Sequence, residues 1–277
     1  MRVPAFAKIN LSLRVLGARA DGYHELRTVF QSIALHDTLT IRAARGPFRL
    51  TCDDPACPTD DTNLIARAAV RMWKAAGRRG APRGFAIDLK KRIPMQAGLG
   101  GGSSDAAAAL RALARRWRVK DEAVRAAAAA LGADVPYFLE GGTVLGLERG
   151  DLLFALIDPH PAWVVLVLPE FGVSTKDAFG WFDGATRSPD RAAPRFAGND
   201  LEAPVAAHHP EIVRIISALR RSGASQAAMS GSGSAIFGLF SARPAAVSAA
   251  NRLSSQARRT IVTQTLNRQR YQRLAAT

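Results

Sequence analysis

Between residues 5 and 16 the chain alternates, with Ile9, Leu11, Leu13 and Val15 on one side and Lys8, Asn10, Ser12 and Arg14 on the other. A repeat of two is that of a strand with one buried face. The chain therefore opens on a half-buried strand that sends Lys8 and Asn10 in the same direction. A turn at Asp21-Gly22 leads to a second extended run over 28–35, and Asp37 marks a further turn before a third run over 38–43. The pattern then changes period. Leu64, Ile65, Ala68, Ala69, Met72 and Trp73 recur at helical spacing, after a cap at Asp61 or Thr62 and up to Gly77. A strand over 85–89 precedes a glycine-rich segment at 98–102. Two Ala-rich helices follow, one starting near Ser103 or Ser104 and one running from Asp121 to Gly132, and then a strand over 143–148.

After the polar residues 148–151 the pattern restarts. A very apolar strand over 163–168 ends at Pro169, and helices are expected over 176–182 and 210–221. Strands follow over 226–229, 235–240 and 260–265, with a helix between the last two. Residues 183–199, rich in Pro, Arg and Ala, read as a long exposed loop. Strands followed by helices in each half predict an α+β protein of two lobes, residues 1–155 and 156–277, with the boundary near 150–160.

Composition adds bounds. At 277 residues and 48% hydrophobic content the chain is long enough to bury its own core, which excludes disorder and disulfide scaffolding. No run of about 20 uncharged apolar residues is present, and the charged start at Arg2 and Lys8 does not suit a signal peptide. A cytoplasmic protein without membrane attachment is expected. Lys and Arg number 38 against 23 Asp and Glu, a formal charge of +15. Nucleic acid and small polyanions both suit that charge, but Arg is spread along the whole chain, so a solvated basic surface is the simpler account. The C-terminal Arg252, Arg258, Arg259, Arg268, Arg270 and Arg273 meet no acid in the sequence. Cys52 and Cys57 lack a second pair at zinc spacing and read as reduced thiols.

Three segments carry chemistry. In Pro94-Met-Gln-Ala-Gly-Leu-Gly-Gly-Gly-Ser-Ser104, glycines let several N–H groups converge at the start of a helix, which makes a phosphate cradle. Ser103 and Ser104 are candidate donors to phosphate, and Ser104 a candidate magnesium ligand. A Walker loop needs a Lys that is absent here, and a dinucleotide fingerprint needs a βαβ context that is also absent. Asp134, in Leu131-Gly-Ala-Asp-Val-Pro136, reads equally as a turn residue or as a base when taken alone. In Met229-Ser-Gly-Ser-Gly-Ser234, small residues allow backbone to approach a ligand closely.

The order of these motifs, with the early Ala7-Lys-Ile-Asn10, resembles the GHMP small-molecule kinases, over nearly the whole chain and least between 183 and 221. The resemblance implies a ribosomal-protein-S5-like N-terminal lobe and a ferredoxin-like C-terminal lobe. It implies ATP as co-substrate with Mg2+, ATP binding by Pro94, Met95, Gln96, Ala97, Gly98, Leu99, Gly100, Gly101, Gly102, Ser103 and Ser104, Asp134 as base, and Lys8 beside it. Arg19-Ala-Asp-Gly-Tyr-His24 and Leu131-Gly-Ala-Asp-Val-Pro136 resemble the branch that phosphorylates the 2-hydroxyl of cytidine diphosphate methylerythritol on the non-mevalonate route to isoprenoid precursors. That branch implies Asn10, Tyr23, His24, Gly231, Ser232 and Gly233 as substrate contacts. It also implies a second stacking ring, either Trp181, favoured by gapless matching, or Phe179. The expected partner is thus a small molecule, with no nucleic acid or membrane, and the expected state a monomer or weak homodimer. His208 and His209 have no motif support and read as surface residues. A basic RNA-binding protein is the alternative from another class, since a ribosomal-protein-like lobe does not fix function.

Overall fold

A computed structural model describes residues 1–185 and 198–276; most of the expected loop over 183–199 lies outside them. In chain order its elements are β1 (Arg2–Ala18), β2 (His24–Pro47), β3 (Arg49–Cys52), α1 (Leu64–Ala75), β4 (Arg83–Lys90), α2 (Gly101–Trp117), α3 (Asp121–Ala129) and α4 (Tyr137–Glu140). Then come β5 (Thr143–Glu148), β6 (Leu152–Ala155), β7 (Trp163–Pro169), α5 (Thr175–Gly184), β8 (Gly198–Asn199), α6 (Glu202–His208) and α7 (Glu211–Arg221). The chain finishes with β9 (Gln226–Met229), β10 (Ile236–Phe240), α8 (Arg243–Leu253), β11 (Arg258–Gln264) and α9 (Arg268–Ala275). The fold is α+β, as the alternation of periods predicts.

The first sheet runs β3-β4-β2-β1-β8, with β5 added to β2 and β6 to β5. Its spine is β2, a single strand of 24 residues, so the turn expected at Asp37 is not there. Asp37 is fully buried and pairs with Ala5 of β1. Its carboxylate accepts from the backbone N–H groups of Arg92 and Ile93 and from Lys91 Nζ. An Asp that normally ends a strand is held inside one because three donors from another segment satisfy it.

The half-buried strand needs correction too. On β1 the apolar Ile9 is fully buried, and the polar Lys8 and Asn10 are only 4% and 2% exposed. Three register shifts along the β1–β2 pair, at Phe6/Lys8, Asn10/Ser12 and Val15/Gly17, bend and twist the strand. Its polar face thus lines an interior cleft, with Ala-rich α2 packed along β1. From Ser104 to Leu110 every residue of α2 is buried, which only small side chains allow this close to two neighbours.

The second sheet is antiparallel, in the order β11-β7-β10-β9. Successive residues of β7 face opposite layers. Val165 and Val167 pack with the helical residues Ile212, Ile215, Leu219 and Ala249. Val164, Leu166 and Leu168 meet Ala7, Ile9, Ile33 and Leu99 from the first sheet and the glycine loop. Burial on both faces explains the unbroken apolar run. The C-terminal stretch returns to the first sheet, where Leu266, Tyr271 and Ala275 pack on Phe6. Two of its arginines have structural partners that the local sequence conceals: Arg258 lies 3.4 Å from Glu211, and Arg268 Nη2 donates to the Thr143 carbonyl at 2.7 Å.

Candidate active site

A cavity of about 990 Å³ opens between the two sheets, and β1, the glycine loop, the Asp134 turn, the start of α5 and the Gly231-Ser232 turn all line it. The glycine loop is fixed by both sheets. Lys8 N–H donates to the Leu99 carbonyl, Ala235 N–H to that of Ala97, and Ser230 Oγ to that of Gly98. Two glycines are sterically required. A Cβ on Gly98 would sit 2.0 Å from the Ser230 carbonyl oxygen, and one on Gly100 would sit 2.6 Å from the Phe138 ring, both at positive φ. Gly100 is the N-cap of α2, which has neither a side-chain cap nor an acid in its first turn. The N–H groups and positive helix end are therefore available to an anion in the cavity.

Of the two serines, Ser103 lines the cavity. Ser104 does not. It is 1% exposed and its hydroxyl donates to the Phe6 carbonyl at 2.6 Å, so it ties α2 to β1 and is turned away from the cavity. Ser104, expected as a magnesium ligand or phosphate donor, thus spends its hydroxyl hydrogen on Phe6 and does not line the cavity. No group of three or more His, Cys, Asp or Glu residues suited to a metal occurs among the described residues.

Lys8 and Asp134 meet in the cavity wall, with Nζ 3.8 Å from Oδ2. Asp134 stands in a turn closed by Val135 N–H on the Gly132 carbonyl, and its side chain is 35% exposed, open to a ligand. Lys8 Nζ donates to Asn10 Oδ1 at 2.6 Å, and Asn10 Nδ2 donates to Thr28 Oγ1 at 2.7 Å. The Thr28 hydroxyl donates onward to the Ser12 carbonyl, so the Asn10 amide has one orientation. Burial lowers the pKa of Lys8, and the Asp134 carboxylate opposes that shift.

At the other end of the cavity Tyr23 is 57% exposed, with the Arg149 guanidinium 5.3 Å from its ring centre. His24 stacks on Phe179 at 4.6 Å and 23°, and its Nε2 is 2.8 Å from Asp183 Oδ1. Trp181, the favoured second ring, instead stacks on His208 at 4.1 Å and does not line the cavity. Two residues along a helix is a rotation of about 200°, so Phe179 and Trp181 face opposite ways. His208 and His209 are likewise packed on rings, His209 on Phe171 at 4.1 Å. Gly231 and Ser232 line the cavity while Gly233 lies behind them, where a Cβ would meet Met229 Sδ at 2.7 Å.

Sequence reasoning missed a buried trio below the glycine loop. Lys91 Nζ donates to Asp37 and, at 2.9 Å, to Asp105. Burial alone would lower the Lys91 pKa, but the Asp105 and Asp37 carboxylates outweigh it and raise the value. For Asp105 burial dominates and pushes its pKa well up. Arg149, Thr175 and Lys176 also line the cavity. None of these lies in a motif that singles it out, though Asp105 directly follows the glycine-serine run.

The chain resembles known proteins over most of its length. The GHMP kinases N terminal domain matches residues 63–142 and the GHMP kinases C terminal domain residues 183–259. A homoserine kinase structure from Cytophaga hutchinsonii, 18% identical with a TM-score of 0.70, shares the fold over 98% of this chain and 96% of its own. The chain belongs to the GHMP kinases, and within them to the 4-diphosphocytidyl-2-C-methyl-D-erythritol kinases. The enzyme of that name from Moorella thermoacetica is 43% identical, over 96% of this chain and 99% of its own. Its counterpart from Anaeromyxobacter sp. (strain K) is 42% identical over 91% and 84%. A crystal structure of 4-(cytidine 5'-diphospho)-2C-methyl-D-erythritol kinase superposes with a TM-score of 0.82 at 34% identity, covering 96% of this chain and 99% of that one.

Proposed function

We propose that the protein transfers the γ-phosphoryl group of ATP to the 2-hydroxyl of 4-diphosphocytidyl-2-C-methyl-D-erythritol, a step in the non-mevalonate supply of isoprenoid precursors. The observation that carries the reading is one cavity with three stations: the uncapped start of α2, the Lys8–Asp134 pair, and the Tyr23, His24 and Phe179 rings. ATP phosphates would lie on the N–H groups of Gly101, Gly102 and Ser103. Asp134 would orient the acceptor hydroxyl and take its proton late, as a loose phosphoryl-transfer transition state requires. Lys8, held by Asn10, would keep Asp134 ionised and offset charge on the reacting oxygens. A cytosine would stack on Tyr23 and Phe179 beside His24, each stack worth ~1–3 kcal/mol. Magnesium enters this scheme with ATP, carried on its phosphates. The partner is then a small molecule, and the +15 charge needs neither nucleic acid nor membrane. Among the described residues no helix is long and apolar enough to cross a membrane.

The test is ADP release from ATP and magnesium with the cytidine substrate, galactose, homoserine or mevalonate. Turnover confined to the cytidine substrate is expected. Turnover on another of these alcohols alone refutes the substrate, and turnover on none refutes the kinase reading. Phe179→Ala should raise KM for the cytidine substrate ~10-fold or more, whereas Trp181→Ala leaves it unchanged.

A further inference from the structure

Just past residue 197, β8 lies parallel to β1 at Ser12 and Leu13, and three side chains then reach the backbone of other segments. Asp200 accepts from Val15 N–H at 3.0 Å and pairs with Arg14 at 2.6 Å. Glu202 accepts from Met229 N–H at 3.0 Å. Asn199 is 8% exposed and spends its whole amide. Its Nδ2 donates to the Met229 carbonyl at 2.9 Å and to the Gly231 carbonyl at 2.6 Å, and its Oδ1 accepts from Leu201 N–H at 2.9 Å.

The two carbonyls are two residues apart across a turn in which Gly231 has φ +56°. One planar amide that bonds both fixes the curvature of that turn. The turn matters because of what it touches. A Cβ on Gly231 would lie 3.3 Å from Asn10 Oδ1, from the Gly98 carbonyl oxygen and from Lys8 Nζ. Ser230 Oγ accepts from Asn10 N–H at 3.3 Å and donates to the Gly98 carbonyl at 3.0 Å. Lys8, Asn10 and the glycine loop therefore share one wall, and Asn199 holds that wall from behind without entering the cavity.

We propose that Asn199 is a positioning residue for phosphoryl transfer, holding the Ser230–Gly231 turn against Lys8, Asn10 and Gly98. The proposal rests on the kinase reading above. Misplacement of reacting groups by about 1 Å costs on the order of 100-fold in rate. Asn199→Ala removes both donors and leaves two inner carbonyls unpaired. It should lower kcat ~10- to 100-fold while KM for ATP changes by less than about threefold. Asp200→Asn is the control, since it loosens the same element at Val15 and Arg14 but does not touch the turn. It should lower the thermal midpoint with kcat kept. Should Asn199→Ala not fold, Asn199→Thr, which keeps one donor, takes its place.

Amide hydrogen exchange over 230–233, followed by mass spectrometry, gives a readout that needs no turnover. Faster exchange is expected in the Asn199 variant and not in Asp200→Asn. Unchanged kcat in a folded Asn199 variant, or an equal loss of kcat in Asp200→Asn, overturns the proposal. If the wild type turns over no substrate, the kinase reading fails, and the exchange comparison alone decides whether Asn199 holds the turn.

Discussion

The cavity wall contains two lysine–carboxylate groupings built in opposite ways. Lys8 faces one half-exposed carboxylate, Asp134, at 3.8 Å, and its pKa is lowered because burial outweighs that partner. Lys91 sits between two buried carboxylates, Asp37 and Asp105, and its pKa is raised because they outweigh burial. The first grouping is loose and open on the ligand side, so an incoming hydroxyl or phosphate can displace existing contacts. The second is closed and directs its contacts into the protein, where Asp37 also holds the backbone of Arg92 and Ile93 just before the glycine loop. Both are built from the same two residue types, a lysine with aspartates, one in the first grouping and two in the second. Exposure of the carboxylate and the number of donors separate a pair open to the cavity from one closed inside the protein.

Substitutions break this comparison in order of effect. Asp134→Asn should reduce kcat ~10²- to 10⁴-fold and shift stability by less than about 1 kcal/mol, read from ADP release and urea unfolding. An equal loss of stability and activity would mean that Asp134 is structural. Lys91→Met should show the opposite profile. It leaves two buried carboxylates without their cation, which costs ~3–5 kcal/mol of stability, measured by denaturant titration at neutral pH. A stable Lys91→Met protein with lowered ATP affinity would make Lys91 a phosphate ligand instead.

Smaller effects sharpen the contrast through pH. The folded-state pKa of Asp105 lies well above 3.8, so the native protein holds that proton more tightly than the unfolded chain. Stability from this group is present at low pH and is lost as pH rises from about 4 through the raised value. Asp105→Asn should remove that decline, so urea midpoints measured from pH 4 to 9 would converge at the acid end and favour the variant at the alkaline end. For Lys8 the folded pKa is lowered, so the charge needed in the site is lost at lower pH than for a free lysine. The alkaline limb of kcat should fall below 10.5, the ordinary lysine value. In Asp134→Asn, where the raising partner is gone, the limb of the residual activity should move lower still.

Much of this site was legible because its signals are local. Period-two alternation puts Lys8 and Asn10 on one face, and the glycine-serine run marks the loop and uncapped helix start that line the cavity. What escaped depends on distant partners. Asp37 imitates a turn residue until donors from the 91–93 segment are supplied. Ser104 imitates a phosphate ligand until the Phe6 carbonyl claims its hydroxyl. That Phe179 and not Trp181 lines the cavity depends on the rotation of α5 about its axis, which gapless matching of a motif does not encode. Arg258 met no acid in its neighbourhood because Glu211 is 47 positions away in the chain.

The alanine collar of α2 has a consequence for how the enzyme tolerates sequence change. Ala106, Ala107, Ala108 and Ala109 are each fully solvent-shielded, and the helix they encircle begins at the glycine loop that lines the cavity. Enlarging any of them by one or two methyl groups should force the helix aside at ~1–3 kcal/mol, and the displaced end is the glycine loop. A saturation mutagenesis map scored for growth on this enzyme should therefore show an intolerant stripe running down α2, well beyond the residues any substrate touches. The fitness footprint of the site should then be longer than its contact footprint, with alanine, usually the most permissive letter in such maps, refusing every larger residue.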